Sequence, residues 1–295
     1  MADFVTTADG RRLEYLTGGD EDGFPFLFHR GTPSAALVFE PMWQAAVRAG
    51  LRVVTYSRPG YGASTPRAPE AEPSMVDDAA DSMLLLDALG MDEFVTLGWS
   101  GGGPRALTCA GLYPDRCRAV VTLAGVAPDG VPGLDFTAGM GEENVRDFEL
   151  CRQGREAFRA QAEADAEAMS VVTGDQVVAG FGDLVDDVDA AALTGELAEF
   201  VAASSRYAVH QGAVGYLEDN LQIARPWGVD LSRLRVPVAV WQGAHDRMVP
   251  FAHGEWLAAT IPGARVHLLQ DEGHISLVSH LDAMLVELRE MAGLD

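Results

Sequence analysis

The residues with the clearest chemical potential surround a serine. Gly98, Trp99, Ser100, Gly101 and Gly102 follow an apolar run and precede a helical pattern. In a nucleophile elbow the serine lies on a sharp turn between a strand and a helix, where side chains two residues away on either side would collide. The helix that follows would also favour an oxyanion at its N-terminus. The pattern therefore predicts Ser100 as a nucleophile; the alternative is a glycine-rich helix start that Ser100 merely caps.

A serine hydroxyl needs a base to accept its proton, and the base needs a carboxylate to orient it. Of the seven histidines, His274 follows the last predicted strand, at the same edge of the sheet as Ser100. Asp246 follows the seventh predicted strand and is the predicted orienting acid, with Asp129 as its competitor. His245 leads into a turn, and we interpret it as structural. The order serine, aspartate, histidine along the chain is one in which such triads occur.

The tetrahedral intermediate of acyl transfer carries a negative oxygen that needs backbone N–H donors. We expect one donor from Gly101, directly after the nucleophile. We expect the second from Thr32, in the loop that follows the strand ending at His29, where Gly31 permits a tight backbone. The alternative for this loop is an ordinary turn that contains proline and glycine. Gly101 and Thr32 are the candidate oxyanion hole.

Short apolar runs that alternate with helical patterns must position these residues. Such runs are typical of parallel strands that are buried on both faces. The alternation predicts an α/β protein with a mostly parallel central sheet flanked by helices, and Asp9-Gly10 predicts a hairpin before it. The predicted strands after this hairpin cover residues 25–28, 52–56, 94–99, 119–124, 236–241 and 265–269.

The alternation stops near residue 127 and returns near residue 231. Residues 128–230 are charged, alanine-rich and helical in pattern, so we predict a core of residues 1–127 and 231–295 with a helical cap inserted after the sixth strand. Such an insert would lie over the C-terminal ends of the strands, where ligands bind in open α/β sheets. Trp99 and Trp227 are the predicted substrate-binding residues. Most other aromatic residues of the cap are expected to be its core, although they could line the same pocket: Phe136, Phe148, Tyr207 and Tyr216.

The composition excludes several classes of protein. A hydrophobic fraction of 48% and a charged fraction of 22% are ordinary for a globular protein. The formal charge of −23 opposes binding to nucleic acid or to an anionic membrane surface. Three cysteines make an odd number without a metal-binding spacing. The first residues lack a signal-peptide pattern and no apolar run reaches membrane-spanning length, so we expect a cytoplasmic protein.

Together these motifs resemble the α/β-hydrolase superfamily, in the branch with a helical cap after the sixth strand. The resemblance implies the α/β-hydrolase fold and a Ser-His-Asp triad, and we expect no cofactor and no metal. In that family His-Gly usually precedes the oxyanion donor, whereas here Arg30 stands in the histidine position and His29 one place earlier. Haloalkane dehalogenases and epoxide hydrolases of this fold use an aspartate at the elbow, so Ser100 argues against both. The resemblance rests on residues 31–33, 58–64, 98–102, 243–250 and 273–274.

Three functions are compatible with these residues. The leading hypothesis is a serine hydrolase that cleaves an ester-like or other acyl bond of a small or medium molecule through an acyl-enzyme. The family also implies thioesterase, lactonase, C–C hydrolase and prolyl-iminopeptidase-like activities. The second hypothesis is a cofactor-free perhydrolase or haloperoxidase, in which peroxide attacks the same acyl-enzyme. The third is a hydrolase-like receptor that binds a ligand without turnover.

Overall fold

The short apolar runs of the sequence form an eight-stranded sheet. The computed structural model of the chain describes residues 2–180 and 182–294. Residues of the central strands are mostly buried, because helices cover both faces of the sheet. The strands are β1 (Asp3–Thr6), β2 (Arg12–Gly19), β3 (Phe24–His29), β4 (Leu51–Tyr56), β5 (Phe94–Trp99), β6 (Cys117–Leu123), β7 (Val238–Gly243) and β8 (Arg265–Leu269).

The strand order in the sheet is β1-β2-β4-β3-β5-β6-β7-β8. Strand β2 pairs antiparallel with β1, in the hairpin expected around Asp9-Gly10, and with β4; the other neighbours are parallel. The predicted α/β class with a mostly parallel sheet is confirmed. Because parallel strands end at the same edge, the residues that follow β3, β5, β7 and β8 are brought together there.

Most helix boundaries follow local sequence signals. Helix α2 begins after Ser74, whose backbone N–H donates to the Asp77 carboxylate at 2.8 Å. Helix α1 begins at Glu40; before it, the N–H of Ala36 donates to Ser57 Oγ at 2.8 Å. The helices are α1 (Glu40–Arg48), α2 (Met75–Ala88), α3 (Gly103–Leu112), α4 (Glu142–Gln153), α5 (Arg155–Met169), α6 (Gly174–Gly180), α7 (Asp187–Ala192), α8 (Gly195–Ala208), α9 (Val214–Ile223), α10 (Phe251–Thr260) and α11 (Leu281–Ala292).

Side chains of consecutive strand residues pack on opposite faces of the sheet. Phe26 and Phe28 of β3 belong to an apolar cluster that includes residues of α1 and α11. Leu27, between them, belongs to a second cluster that includes residues of α2, α3 and α10. The sheet is therefore the middle layer of three, and its strands are rigid supports for the loops at their ends.

The segment predicted as a cap, residues 128–230, contains helices α4 to α9. Its described residues, 128–180 and 182–230, include no strand. Helix α9 packs against α4 and α5 and carries Asp219 toward the core, whereas the short α7 carries Asp189 toward the loop after β8. Within residues 2–180 and 182–294, no helix combines the length and the hydropathy needed to cross a membrane.

Candidate active site

The turn between β5 and α3 holds Ser100 in a conformation that few residues other than glycine adopt. Its φ is +56°, in the left-handed region. A Cβ at Gly102 would collide with the carbonyl oxygen of His29, and one at Gly98 would collide with the carbonyl group of Gly102. The glycines thus permit a close approach of the turn to β3, while the serine carries the backbone strain. This is the geometry of a nucleophile elbow.

Asp246 and His274 form a buried pair at the same edge of the sheet. His274 Nδ1 lies 2.8 Å from Asp246 Oδ2, and each residue is 4% exposed. Asp246 Oδ1 accepts the N–H groups of Met248 and Val249 at 2.9 and 2.7 Å. Gln242 Nε2 donates to Asp246 Oδ2 at 2.9 Å. These donors fix the carboxylate, which in turn favours the tautomer of His274 that carries its proton on Nδ1.

The surroundings of His274 favour its protonated form. Burial by itself would lower the pKa of the imidazole, but the carboxylates of Asp246 and Asp189 outweigh burial and raise the pKa above its ordinary value. The protonated, cationic form of His274 is therefore stabilised by the residues around it.

Trp99 connects the segment of Ser100 with His274. The indole ring of Trp99, the residue before Ser100, stacks on the His274 ring with centroids 6.1 Å apart. In the described part of the chain, the hydrogen bonds of His274 run to Asp246 and Asp189 and do not include Ser100 Oγ. In free enzymes the bond between nucleophile and base is often long, and it shortens when substrate binds.

The loop between β3 and α1 lies against Ser100. A Cβ on Gly31 would be 3.3 Å from Ser100 Cβ and 3.8 Å from Ser100 Oγ. A Cβ on Gly101 would be 2.6 Å from Thr32 Oγ1. The two segments that carry the candidate oxyanion donors therefore adjoin each other beside Ser100. That the N–H groups of Thr32 and Gly101 bind the oxyanion stays a prediction.

Two buried arginines hold these two segments. Arg58 Nη2 donates to the carbonyl oxygen of Gly31 at 2.8 Å, and Arg105 Nη1 donates to that of Gly101 at 2.6 Å. The Gly31 carbonyl and the Thr32 N–H belong to one planar peptide group. The bond from Arg58 therefore fixes the direction of the predicted Thr32 donor.

Asp219 of α9 joins both arginines. Its carboxylate accepts Arg58 Nε at 3.0 Å and Arg105 Nη2 at 2.7 Å. The hydroxyl of Thr32 donates to the same carboxylate at 2.7 Å. Arg105 also binds Asp78 through Nε at 2.8 Å, so both of these arginines have an acidic partner. The oxyanion side of the site is thus anchored to a compensated ionic cluster.

An aromatic stack extends from His274 to α8. Trp99 stacks on Phe39 with ring centroids 5.9 Å apart, and Phe39 stacks on Phe200 of α8 at 4.6 Å. Trp99 Nε1 is buried and forms no hydrogen bond within residues 2–180 and 182–294. Trp99 therefore lies next to Ser100 in the chain and against the His274 ring. Phe39 and Phe200, which the sequence did not single out, extend this aromatic stack.

Trp227 lies in a different environment. It is 3% exposed, belongs to an apolar core cluster, and donates its Nε1–H to the carbonyl oxygen of Ile223 at 3.3 Å. The structure thus places Trp227 in packing at the end of α9, and not in the stack beside the triad. The other four aromatic residues that the sequence singled out in this segment pack against each other or bind carboxylates: Phe136, Phe148, Tyr207 and Tyr216.

The alternatives to the predicted triad have other partners. The carboxylate of Asp129 binds Arg152 Nε and Nη2 at 2.7 and 2.9 Å. His245 Nδ1 lies 2.5 Å from the carboxylate of Asp186, which precedes α7. Asp129 is therefore engaged away from His274, and His245 links the core to the helical segment.

His29, the last residue of β3, and Arg30, the first residue of the loop after it, are both buried. Burial and the nearby Arg58 lower the pKa of His29 to about 3, so this histidine is neutral. Arg30 is 3% exposed, lies over the Phe28 ring at 5.2 Å and donates to the carbonyl oxygen of Leu37. Burial lowers the Arg30 pKa to about 9. In place of the family histidine, the loop is held by its backbone contacts with Arg58.

Several residues that organise the site were missed by sequence reasoning. Gln242 offered a signal, because it is a polar residue directly after an apolar run of the sequence; the structure buries it fully in β7. Asp189 and Asp219 offered none, because they lie in charged helical stretches that predict solvent-exposed carboxylates. Among the described residues, no group of three His, Cys, Asp or Glu side chains is arranged to hold a metal ion.

A family model described as alpha/beta hydrolase fold matches residues 25–281, a span that includes Ser100, Asp246 and His274. The chain belongs to this family. The α/β-hydrolase fold explains why the three residues follow β5, β7 and β8 and yet meet at one edge of the sheet.

Similar proteins include hydrolases and haloperoxidases. The chain is 29% identical over 257 residues to a non-heme chloroperoxidase of Streptomyces lividans, over 84% of this chain and 83% of that protein. It is 29% identical over 255 residues to a pimeloyl-[acyl-carrier protein] methyl ester esterase of Aromatoleum aromaticum, over 81% and 87% of the two chains. A solved bromoperoxidase from Bacillus anthracis shares the fold, with a TM-score of 0.74 at 20% identity over 100% of both chains. These relatives support a hydrolase of the α/β-hydrolase family.

Proposed function

We propose that this α/β-hydrolase cleaves an ester-like or other acyl bond of a small or medium-sized molecule through an acyl-enzyme on Ser100. One observation carries the proposal: a serine with a left-handed backbone lies at the sheet edge that also holds the buried Asp246–His274 pair. The methyl ester esterase among the similar proteins supports ester chemistry. The proposed partner is a small acyl substrate in the cytoplasm, without cofactor, metal, nucleic acid or membrane.

The proposed reaction has two half-reactions. His274 accepts the proton of the Ser100 hydroxyl while the serine oxygen attacks the substrate carbonyl, and the N–H groups of Thr32 and Gly101 bind the resulting oxyanion. The intermediate collapses, the bond to the leaving alcohol breaks, and His274 protonates the leaving oxygen. Water, deprotonated by His274, then attacks the acyl-enzyme; the bond between the acyl carbon and Ser100 Oγ breaks, His274 returns the proton to Oγ, and the carboxylic acid leaves. Asp246 stabilises the imidazolium in both halves.

The aromatic stack suggests where the substrate lies. The rings of Trp99, Phe39 and Phe200 run from the base toward α8 and offer apolar surface next to Ser100. We propose that the apolar part of the acyl or leaving group packs against Trp99 and that Phe39 and Phe200 bound the same pocket.

Labelling and turnover test this proposal together. A fluorophosphonate should modify Ser100 with one equivalent per chain, as read by peptide mass spectrometry. Ser100→Ala should lower kcat on p-nitrophenyl esters by about 10⁶-fold, because the covalent route is lost. Ser279→Ala, an exposed serine in the same half of the chain as His274, is the matched control and should keep full activity. Full turnover by Ser100→Ala would contradict the proposal.

Perhydrolysis is the second candidate, and similarity to a non-heme chloroperoxidase supports it. In this reaction hydrogen peroxide takes the place of water, attacks the acyl-enzyme and releases a peracid; the peracid oxidises halide to hypohalous acid and becomes the carboxylic acid. Bromination of a dye that requires both peroxide and acetate would reveal it. The third hypothesis is a non-catalytic receptor, which would bind a ligand tightly and show neither turnover nor labelling of Ser100.

A further inference from the structure

A carboxylate from the helical segment lies directly against the loop that carries His274. Asp189 of α7 is fully buried, and its Oδ2 accepts the backbone N–H of His274 at 2.7 Å. Its Oδ1 accepts the N–H groups of Ile275 and Ser276 at 2.8 and 3.0 Å. Three consecutive peptide groups, beginning at the proposed base, thus converge on one side chain.

The hydrogen bonds of Asp189 come from the backbone rather than from a cation. Within residues 2–180 and 182–294, no arginine or histidine side chain forms a salt bridge with it. A buried carboxylate is costly to desolvate unless donors compensate it, and three charge-assisted N–H bonds supply that compensation here. Because peptide dipoles carry no net charge, the negative charge of Asp189 is not cancelled and acts on its surroundings.

Gly273 reveals that this carboxylate is built into the loop. A Cβ at residue 273 would collide with the carboxyl group of Asp189. Glycine is therefore required directly before His274 in this chain, because the side chain of α7 occupies the space that any larger residue would need. The sequence motif Gly273-His274 thus has a steric cause in the helical segment.

We propose that Asp189 is a positioning residue for the reaction: it holds the backbone of His274 in place and adds a negative charge beside the imidazolium that forms during catalysis. The inference rests on the proposed function, since the role of His274 as base belongs to that function. It makes α7 part of the catalytic apparatus rather than only a cover over it.

The charges around His274 agree with this role. Asp246, from the loop after β7, contacts Nδ1; Asp189, from α7, contacts the backbone; and the ring of Trp99 stacks on the imidazole. On the loop of His274 itself, Glu272 is paired with His280 Nε2 at 2.8 Å. The carboxylate of Asp189 contributes to the raised pKa of His274, after that of Asp246. Loss of its charge should therefore lower this pKa.

Two substitutions separate the charge of Asp189 from its hydrogen bonds. Asp189→Asn removes the charge but keeps one acceptor oxygen, whereas Asp189→Ala removes both. For p-nitrophenyl ester hydrolysis we expect kcat/KM to fall about 10-fold in the first variant and about 100-fold in the second, through kcat rather than KM. In both variants the acid limb of the pH profile should move to lower pH. Asp187→Asn, an exposed aspartate on the same helix, is the matched control and should change neither quantity.

Wild-type kcat/KM in Asp189→Ala would overturn the proposal. A loss of rate with an unmoved acid limb in both variants would also overturn it, because a merely structural residue would give that result. Circular dichroism checks that each variant is folded.

A measurement without turnover distinguishes failure of this inference from failure of the proposed function. In NMR titrations of the histidine side chains, the midpoint of His274 should be lower in Asp189→Asn than in the wild type and unchanged in Asp187→Asn. Hydrogen exchange of the amides of residues 274–276 should accelerate in Asp189→Asn. If the wild type is neither labelled nor active, but Asp189→Asn still shows these changes, only the hydrolase proposal is refuted. An unchanged midpoint would refute the role of Asp189, whatever the activity.

Discussion

The two sides of the active site are held by different kinds of interaction. On the base side, the carboxylates of Asp246 and Asp189 are bound mainly by neutral donors. On the oxyanion side, Arg58, Arg105 and Asp219 form a buried ionic cluster in which opposite charges are paired. Neutral donors leave negative charge available to the imidazolium, whereas paired ions cancel each other and orient the backbone carbonyl groups. The base side is thus suited to proton transfer and the oxyanion side to rigidity.

Each side receives one carboxylate from the helical segment between β6 and β7. Asp189 of α7 reaches the base loop, and Asp219 of α9 reaches the arginines behind the oxyanion loop. We therefore expect that removing a carboxylate from the base side mainly lowers kcat. Removing one from the oxyanion side should mainly lower the free energy of unfolding, because it leaves buried cations without a partner.

Among substitutions of the groups that hold the two sides, the largest effect is expected from Asp246→Asn. Without the carboxylate, the orientation and charge that support the imidazolium are lost, and kcat on p-nitrophenyl esters should fall by about 10⁴-fold. Steady-state kinetics at saturating substrate measures the loss. Asp129→Asn is the matched control, since the sequence offered it as the competing acid and its carboxylate binds the partly exposed Arg152. A greater loss in Asp129→Asn than in Asp246→Asn would contradict the assignment of the acid.

Stability should respond most to Asp219→Ala. Arg58 and Arg105 would each lose a buried partner, and the free energy of unfolding should fall by about 3–5 kcal/mol. Urea denaturation followed by circular dichroism measures the change.

The control for this variant is an exposed ion pair. Asp282 binds Arg48 with both side chains more than half exposed, so Asp282→Ala should change the free energy of unfolding by less than about 1 kcal/mol. Equal losses in Asp219→Ala and Asp282→Ala would show that the buried cluster does not stabilise the oxyanion side.

The sequence offered candidates for the reacting groups, but not for most of the groups that hold them. Ser100 could be proposed because a strained serine between a strand and a helix needs small neighbours, and His274 and Asp246 because parallel strands end at one edge; their roles in a reaction stay predictions. Asp189 and Asp219 were not identifiable: in the chain they stand among other acidic residues, and only the packing of α7 and α9 buries them. The residue type alone shows that a side chain is charged, but whether that side chain is buried depends on contacts with residues distant in the sequence.

The same limit applies to the aromatic residues. The sequence singled out both Trp99 and Trp227 as substrate-binding residues, yet Trp99 stacks on His274 and Trp227 packs at the end of α9. Trp99 is fixed by its place next to Ser100, which the elbow motif reveals. The place of Trp227 depends on how the helical segment folds onto the core, and periodicity does not encode that arrangement.

A smaller effect is expected from Thr32→Val. The substitution removes the hydroxyl that donates to Asp219 at 2.7 Å but retains the backbone N–H that is the predicted oxyanion donor. The free energy of unfolding should fall by about 1.5–3 kcal/mol, while kcat/KM should fall less than about 10-fold. Thr108→Val is the matched control, because the buried Thr108 hydroxyl has no hydrogen-bond partner among the described residues. That variant should be as stable as the wild type or more stable. A 100-fold loss of kcat/KM in Thr32→Val would mean that the hydroxyl itself takes part in the reaction.

The smallest effect is expected for the energetic coupling between the base side and the oxyanion side. Asp189 and Thr32 share no hydrogen-bond partner in the described part of the chain, so the activation free-energy changes of Asp189→Asn and Thr32→Val should add to within about 0.5 kcal/mol in the double variant. Thr32→Val combined with Asp219→Asn is the positive control, because these residues touch; their unfolding free energies should deviate from additivity by about 0.5–3 kcal/mol. Coupling of the first pair as strong as that of the second would mean that the helical segment ties base and oxyanion sides into one unit. The division between a side built for proton transfer and a side built for rigidity would then be wrong.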